Sequence, residues 1–195
     1  MLESEQLIRC EWCLGDELYI SYHDNEWGKP LHEDRKLFEF LTLEGAQAGL
    51  SWLTILKRRD GYRLAFDNFD INKIVNYNEQ KITELIQDIG IVRNKLKILS
   101  TIENARASLK LIEEFGSLDK YFWDYTNQKT INMHDSSRDI SKVANDISVE
   151  ISKDLRKRGF NFIGPTICYA FIQAIGMIND HQINCYRYKE LSGLK

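Results

Sequence analysis

The chain has 195 residues, 43% hydrophobic and 28% charged, a globular balance that excludes wholesale disorder, collagen-like repeats and a disulfide-stapled miniprotein. Its 26 Lys and Arg against 29 Asp and Glu leave a net charge of −3, which argues against a protein that coats nucleic acid but not against a local basic face.

Helical periods dominate the chain. A helix starting near Asp34, with Asp34 as its N-cap, places Leu37, Phe38, Leu41, Gly45 and Ala48 on one stripe. A second helix is predicted over Trp52–Arg59 and a third over Asn78–Ile89. A long one starts near Arg93 and carries Leu96, Leu99, Ile102, Ala105, Leu109 and Ile112. Ser117 is expected to cap a short helix through Leu118, Tyr121 and Phe122. Tyr125–Arg138 reads as an irregular loop. Asp139–Arg158 is amphipathic, and Thr166–Met177 is apolar nearly all round, as in a central buried helix. Strand signals are weak, so the expected fold is all-α, one domain over residues 1–195. The start MLESEQLIRCEW lacks a signal-peptide core, and no apolar run reaches the ~18 residues of a membrane span. A cytoplasmic, reduced chain follows, in which the four cysteines are core residues, metal ligands or nucleophiles rather than disulfide partners.

Three groups of residues carry chemistry. His181 and Cys185 have the spacing of half a zinc site, and the other half must come from the N-terminal region. Spacing allows either Cys10 with Cys13 or Cys10 with His23. Four protein ligands would make the metal structural and pin both chain ends to the body. Second, Glu44 falls on the apolar stripe of its helix beside Gly45, Ala46, Ala48 and Gly49. Trp12, Tyr19, Tyr22, Trp27 and Trp52 gather in the same region. Such a carboxylate either sits in an aromatic pocket for a planar, amine-bearing ligand or is a core Glu paired with an amide or a cation. Third, Lys157–Thr166 joins two helices through Gly164 and Pro165, with Lys153, Arg156, Lys157 and Arg158 upstream. A helix N-terminus there suits a phosphate. Two further basic clusters, Lys57–Arg59 and Arg93–Lys97, sit beside turns and make a nucleic-acid face credible.

The runs Tyr19–Gly28 (YISYHDNEWG), Leu43–Trp52 (LEGAQAGLSW) and Lys157–Tyr169 (KRGFNFIGPTICY), with Asn179-Asp-His181 and Cys185, resemble the 3-methyladenine DNA glycosylase I family. The similarity runs from about Arg9 through Cys185. It implies the helix-hairpin-helix glycosylase fold, with one structural zinc joining the N- and C-terminal segments. The implied zinc ligands are Cys10, His23, His181 and Cys185, which leaves Cys13 and Cys168 as ordinary thiols. Glu44 is implied as the catalytic, base-recognising group, with Tyr22 and Trp52 stacking on the base and Trp12, Trp27 and Tyr19 as walls. Gly164, Lys157, Arg158, Phe162 and Thr166 are implied as contacts to DNA.

The resemblance implies a monomeric enzyme that flips N3-methyladenine out of alkylated double-stranded DNA and hydrolyses its glycosidic bond. The base is cationic in the nucleotide and leaves neutral, so an oxocarbenium-like transition state needs no strong nucleophile. Asp180 is the one Asp after the hairpin and stands beside His181. It is not expected to act as the catalytic Asp of the wider superfamily, and no lysine is placed for strand-nicking lyase chemistry. Two other readings compete: a metal-dependent phosphohydrolase built on His23-Asp24 and His134-Asp135, and a non-catalytic zinc-containing DNA-binding module.

Overall fold

The structure, a computed structural model, describes residues 7–134 and 140–193. A 3-10 turn, Glu11–Cys13, leads into α1 (Glu17–Asn25), α2 (Asp34–Gln47), α3 (Trp52–Leu56), α4 (Arg59–Ala65), α5 (Ile71–Ile74), α6 (Glu79–Gln87) and the long α7 (Lys95–Phe115). After α8 (Leu118–Trp123) come α9 (Ile140–Lys157), α10 (Pro165–Ala174) and α11 (Tyr186–Ser192). Side-chain caps set several starts: Ser51, Asn78, Asn94 and Ser117 each accept a backbone N–H from three residues on, satisfying donors that the helix itself cannot.

The boundaries depart from expectation where local chemistry overrides the apolar period. Asp34 is the first helical residue of α2, not its cap, because its carboxylate accepts instead from the Asp119 backbone N–H of α8 at 2.9 Å. Ala48 lies just past the end of α2. The helix expected over Trp52–Arg59 breaks at Lys57 and Arg58, and Arg59 begins α4. Leu96 is exposed at the start of α7. The expected loop contains a two-residue strand, β1 (Ile131–Asn132), paired in parallel with β2 (Ile178–Asn179). Of the segments expected around them, residues 135–139 lie outside the described residues.

The largest departure is at the centre. The most enclosed helix is α2, where ten consecutive residues from Leu37 to Ala46 are buried. α10 packs against α9 and α2, but its first turn, Pro165 and Thr166, is exposed. Three polar residues, Glu39, Thr42 and Glu44, hide the centrality of α2 from a hydropathy reading. Around α2 sit α3, α7, α8 and α10, so whatever α2 carries is held from several sides.

Candidate active site and metal centre

The second half of α2 opens onto a cavity of about 250 Å³. Trp12, Tyr19, Tyr22, Trp27, Trp52 and Glu44 all line it, so the five aromatic residues and the acid singled out from sequence meet in one place. Trp12 stands edge-on to Tyr19 at 5.5 Å and to Trp27 at 5.0 Å, and Tyr22 lies 5.6 Å from Trp52. The Tyr19 hydroxyl accepts from the Leu53 backbone N–H at 3.1 Å, fixing the start of α3 to α1. Gln47, Ala170 and Gln173 complete the lining. Sequence reasoning missed these three. Gln47 follows Glu44 by three positions on one helix face, a usable signal; Gln173 comes from α10 and has none.

Glu44 is 3% exposed, and its Oε2 has no hydrogen-bond partner among the described residues. Burial alone pushes its carboxyl up to about 8, because no cation compensates the charge. Burial, and then the nearby Glu44, raise the Tyr22 hydroxyl well above its ordinary value, so Tyr22 remains a neutral phenol. The site thus offers a desolvated acceptor between aromatic faces, an arrangement suited to a flat ligand bearing N–H groups or positive charge.

Cys10, His23, His181 and Cys185 converge behind this cavity, all buried, with ligand atoms within 4.8 Å of one another. His23 Nε2 lies 3.2 Å from His181 Nδ1 and 3.4 Å from Cys185 Sγ. Cys10 Sγ and Cys185 Sγ lie 3.5 and 3.7 Å from His181 Nδ1. A tetrahedral zinc with ordinary Zn–N and Zn–S bonds needs ligand-to-ligand edges of about 3.3–3.8 Å, and these four edges, at 3.2–3.7 Å, lie close to that span, so the group could hold a metal of that size. Burial lowers both histidines, His181 to about 4, keeping them in the neutral form that can ligate. The outer partners are in place as well: His23 Nδ1 donates to Asp24 at 2.8 Å, Arg9 pairs with Asp24, and His181 Nε2 donates to the Trp27 carbonyl at 3.1 Å. Cys13 is excluded from the group because its thiol donates to the Cys10 carbonyl. Gly28 must be glycine: its φ is +77°, and a Cβ there would stand 2.8 Å from His181 Nε2. His134 donates to the His181 carbonyl and stays outside the group, while Asp135 lies outside the described residues.

The hairpin between α9 and α10 is held by polar clamps. Asn104 of α7 both donates to the Asn161 carbonyl, at 3.0 Å, and accepts from the Asn161 N–H, at 2.8 Å. Ser152 of α9 donates to the Ile163 carbonyl at 2.7 Å. The Phe162 carbonyl packs so closely on α2 that a Cβ at Gly45 would meet it at 3.2 Å. Gly164 is the N-cap of α10 and Pro165 its first residue, with no side chain capping the free N–H groups. Lys157 and Thr166 are exposed near this end.

The basic residues are less available than their clustering suggested. Arg158 is tied to Glu114 and Asp154 at 2.6 Å each and stacks on Phe115 and Tyr121. Arg156 instead approaches Gly164: its Nη2 would stand 3.4 Å from a Cβ there. Lys57 pairs with Asp16, Arg58 donates to the Ile89 carbonyl, and Arg59 is buried against Glu39 and Glu26. Lys97 donates to the Ala46 and Ala48 carbonyls and closes the end of α2. The expected three-cluster nucleic-acid face therefore reduces to the hairpin and the exposed residues Arg93 and Lys95.

A helical body with a hairpin between two helices, beside an aromatic, acid-bearing cavity, suits an enzyme that takes up a flat, amine-bearing group. The methyladenine glycosylase family model matches residues 12–188, and the chain belongs to that family. It is 43% identical over 180 residues to DNA-3-methyladenine glycosylase 1 of Escherichia coli strain K12, covering 92% of this chain and 96% of that protein. To DNA-3-methyladenine glycosylase of Haemophilus influenzae it is 41% identical over 177 residues, 91% of this chain and 96% of that one. Its fold matches a tyrosine-to-phenylalanine variant of 3-methyladenine DNA glycosylase I in complex with 3-methyladenine, with a TM-score of 0.83, 35% identity, and coverage of 91% of this chain and 96% of that one.

Proposed function

We propose that the protein is a base-excision repair glycosylase that releases 3-methyladenine from alkylated DNA. The observation that carries this is the unpartnered Glu44 Oε2 inside a cavity walled by five aromatic residues. The enzyme acts on double-stranded DNA as a monomer. The damaged nucleotide leaves the stack at a cost of a few kcal/mol, least for a weakly paired base. Tyr22 and Trp52 hold its faces, Trp12, Trp27 and Tyr19 wall it in, and Glu44 accepts its N–H groups. Entry of the cationic N3-methylated purine favours loss of the Glu44 proton, and the carboxylate so formed is stabilised by the positive charge beside it. The glycosidic bond then breaks toward an oxocarbenium-like state that water captures.

The hairpin grips the backbone. The N–H groups after Gly164 and the exposed Thr166 face a phosphate, and Arg156 and Lys157 add charge. Among the described residues no lysine lines the cavity, so the reading carries no Schiff base and leaves the strand uncut. Cys10, His23, His181 and Cys185 would hold one zinc ion. Four protein ligands would close its coordination sphere, so the metal would serve as a cross-link between chain ends. Trp27 connects the two sites: its ring lines the cavity and its carbonyl accepts from His181.

The direct test is chromatographic detection of 3-methyladenine released from methylated duplex DNA. Release without strand cleavage, and no borohydride-trapped adduct, is expected; an inert protein that only binds DNA would overturn the reading. For the metal, about one zinc per chain is expected, and Cys185→Ser should lose it together with a large drop in melting temperature. A Cys185→Ser protein that keeps both the metal and the melting temperature would remove Cys185 from the ligand set.

A further inference from the structure

One polar contact on the cavity wall belongs to none of the groups above. Gln173 of α10 lines the cavity, and its Nε2 donates to Asp180 Oδ2 at 2.6 Å. A glutamine amide has a donor end and an acceptor end of nearly the same shape, so an unrestrained one presents either. A carboxylate only accepts, so Asp180 takes one of the two Nε2 hydrogens and fixes which end of the amide is which. Oε1 keeps its full acceptor capacity, and Nε2 keeps one N–H. Two residues with a fixed acceptor oxygen thus line the cavity, Glu44 with Oε2 from α2 and Gln173 with Oε1 from α10.

We propose that Gln173 reads the hydrogen-bonding edge of the bound purine, and that Asp180 is its positioning residue. Held this way, the wall favours an aminopurine, whose amine can donate to it, and disfavours an oxopurine, whose carbonyl would face a second acceptor. An unmatched buried acceptor pair discriminates more strongly than a difference in apolar contact does. The inference rests on the glycosylase reading, but assigns a specificity residue and its support rather than the activity. It also gives Asp180 a task through Gln173, without contact to the sugar.

The test compares binding of free 3-methyladenine and free 3-methylguanine, followed by quenching of the cavity tryptophans. Gln173→Leu, Asp180→Asn and the double variant are measured at matched zinc content and melting temperature. The ratio of the two Kd values, adenine-favouring in the wild type, should fall about tenfold in each single variant. The double variant should fall no further than Gln173→Leu alone, because Asp180 acts through that amide. A structural defect would weaken both bases together and leave the ratio in place. An unchanged ratio in Gln173→Leu overturns the proposal, and so do single effects that multiply in the double variant. Should Asp180→Asn lose its metal, Gln173→Leu decides alone. Wild-type protein that fails to release 3-methyladenine from methylated DNA would instead refute the glycosylase reading.

Discussion

Helix α2 buries two glutamates five residues apart, to 5% exposure at Glu39 and 3% at Glu44, and treats them in opposite ways. Glu39 accepts from Arg59 Nε at 2.6 Å and Arg63 Nε at 2.9 Å. Arg59 continues to Glu26 at 2.7 Å and lies over the Phe40 ring. Glu44 has no cation, and one of its oxygens bonds nothing among the described residues. Both acids have the same length, helix and depth. The first is a compensated charge that holds α1, α2 and α4 together. The second has no cation beside it and holds its proton instead, the perturbed state expected of a group that serves a ligand.

The contrast should break hardest at its paired member. Glu39→Ala leaves Arg59 buried with half its partners, and removal of one member of a buried pair costs about 3–5 kcal/mol. Chemical denaturation should show that loss, while the fraction still folded keeps its rate of base release. At Glu44 the outcome inverts. Glu44→Gln should lower single-turnover release by on the order of 100-fold, as for loss of one preorganised electrostatic group, with no loss of melting temperature. Equal damage to stability at both positions would erase the distinction.

Titration sharpens it further. The folded protein holds the Glu44 proton up to about pH 8, more tightly than the unfolded chain does. The folded state therefore binds the extra proton, and stability at this position is fully present below the ordinary carboxylate range and is lost as pH rises toward 8. Glu44→Gln cannot titrate, so its melting temperature should exceed the wild type's by a margin that widens from pH 5 to pH 8. The smallest expected effects lie at the hairpin. Arg156→Ala should weaken DNA binding and reduce the salt slope by about one. Arg158→Ala should leave that slope alone and cost about 1 kcal/mol of stability, because Arg158 is spent on Glu114 and Asp154.

Much of the cavity was legible in the sequence because six of its nine lining residues lie within two short runs, Tyr19–Gly28 and Leu43–Trp52, that α1, α2 and α3 bring together. The metal group was half legible. Spacing alone left Cys13 and His23 as rivals, and resemblance favoured His23; the geometry shows Cys13 turned to the Cys10 carbonyl. What stayed hidden was pairing across the chain. Nothing local says that Lys97 closes α2, that Asn104 holds Asn161, or that Arg158 answers Glu114. Apolar periodicity reports a face, not its partner. That is also why α2, interrupted by Glu39, Thr42 and Glu44, did not read as the most enclosed helix. The β1–β2 pair escaped for a related reason: two residues carry no period, and their partners stand 47 positions apart.

The contact of Phe162 with Gly45 sets a gauge. On the proposed function, the hairpin that would grip the phosphodiester chain and the acid that would meet the base are joined through this one residue without a side chain: Phe162 packs on Gly45, and Glu44 precedes it. A nucleotide has a fixed reach from phosphate to base edge. On that function, only a nucleotide swung fully out of the helix would satisfy both mounts at once, and the spacing would check that extrusion is complete before the base is read. Gly45→Ala would lengthen that gauge and put the two readings out of step, even though residue 45 itself touches neither phosphate nor base.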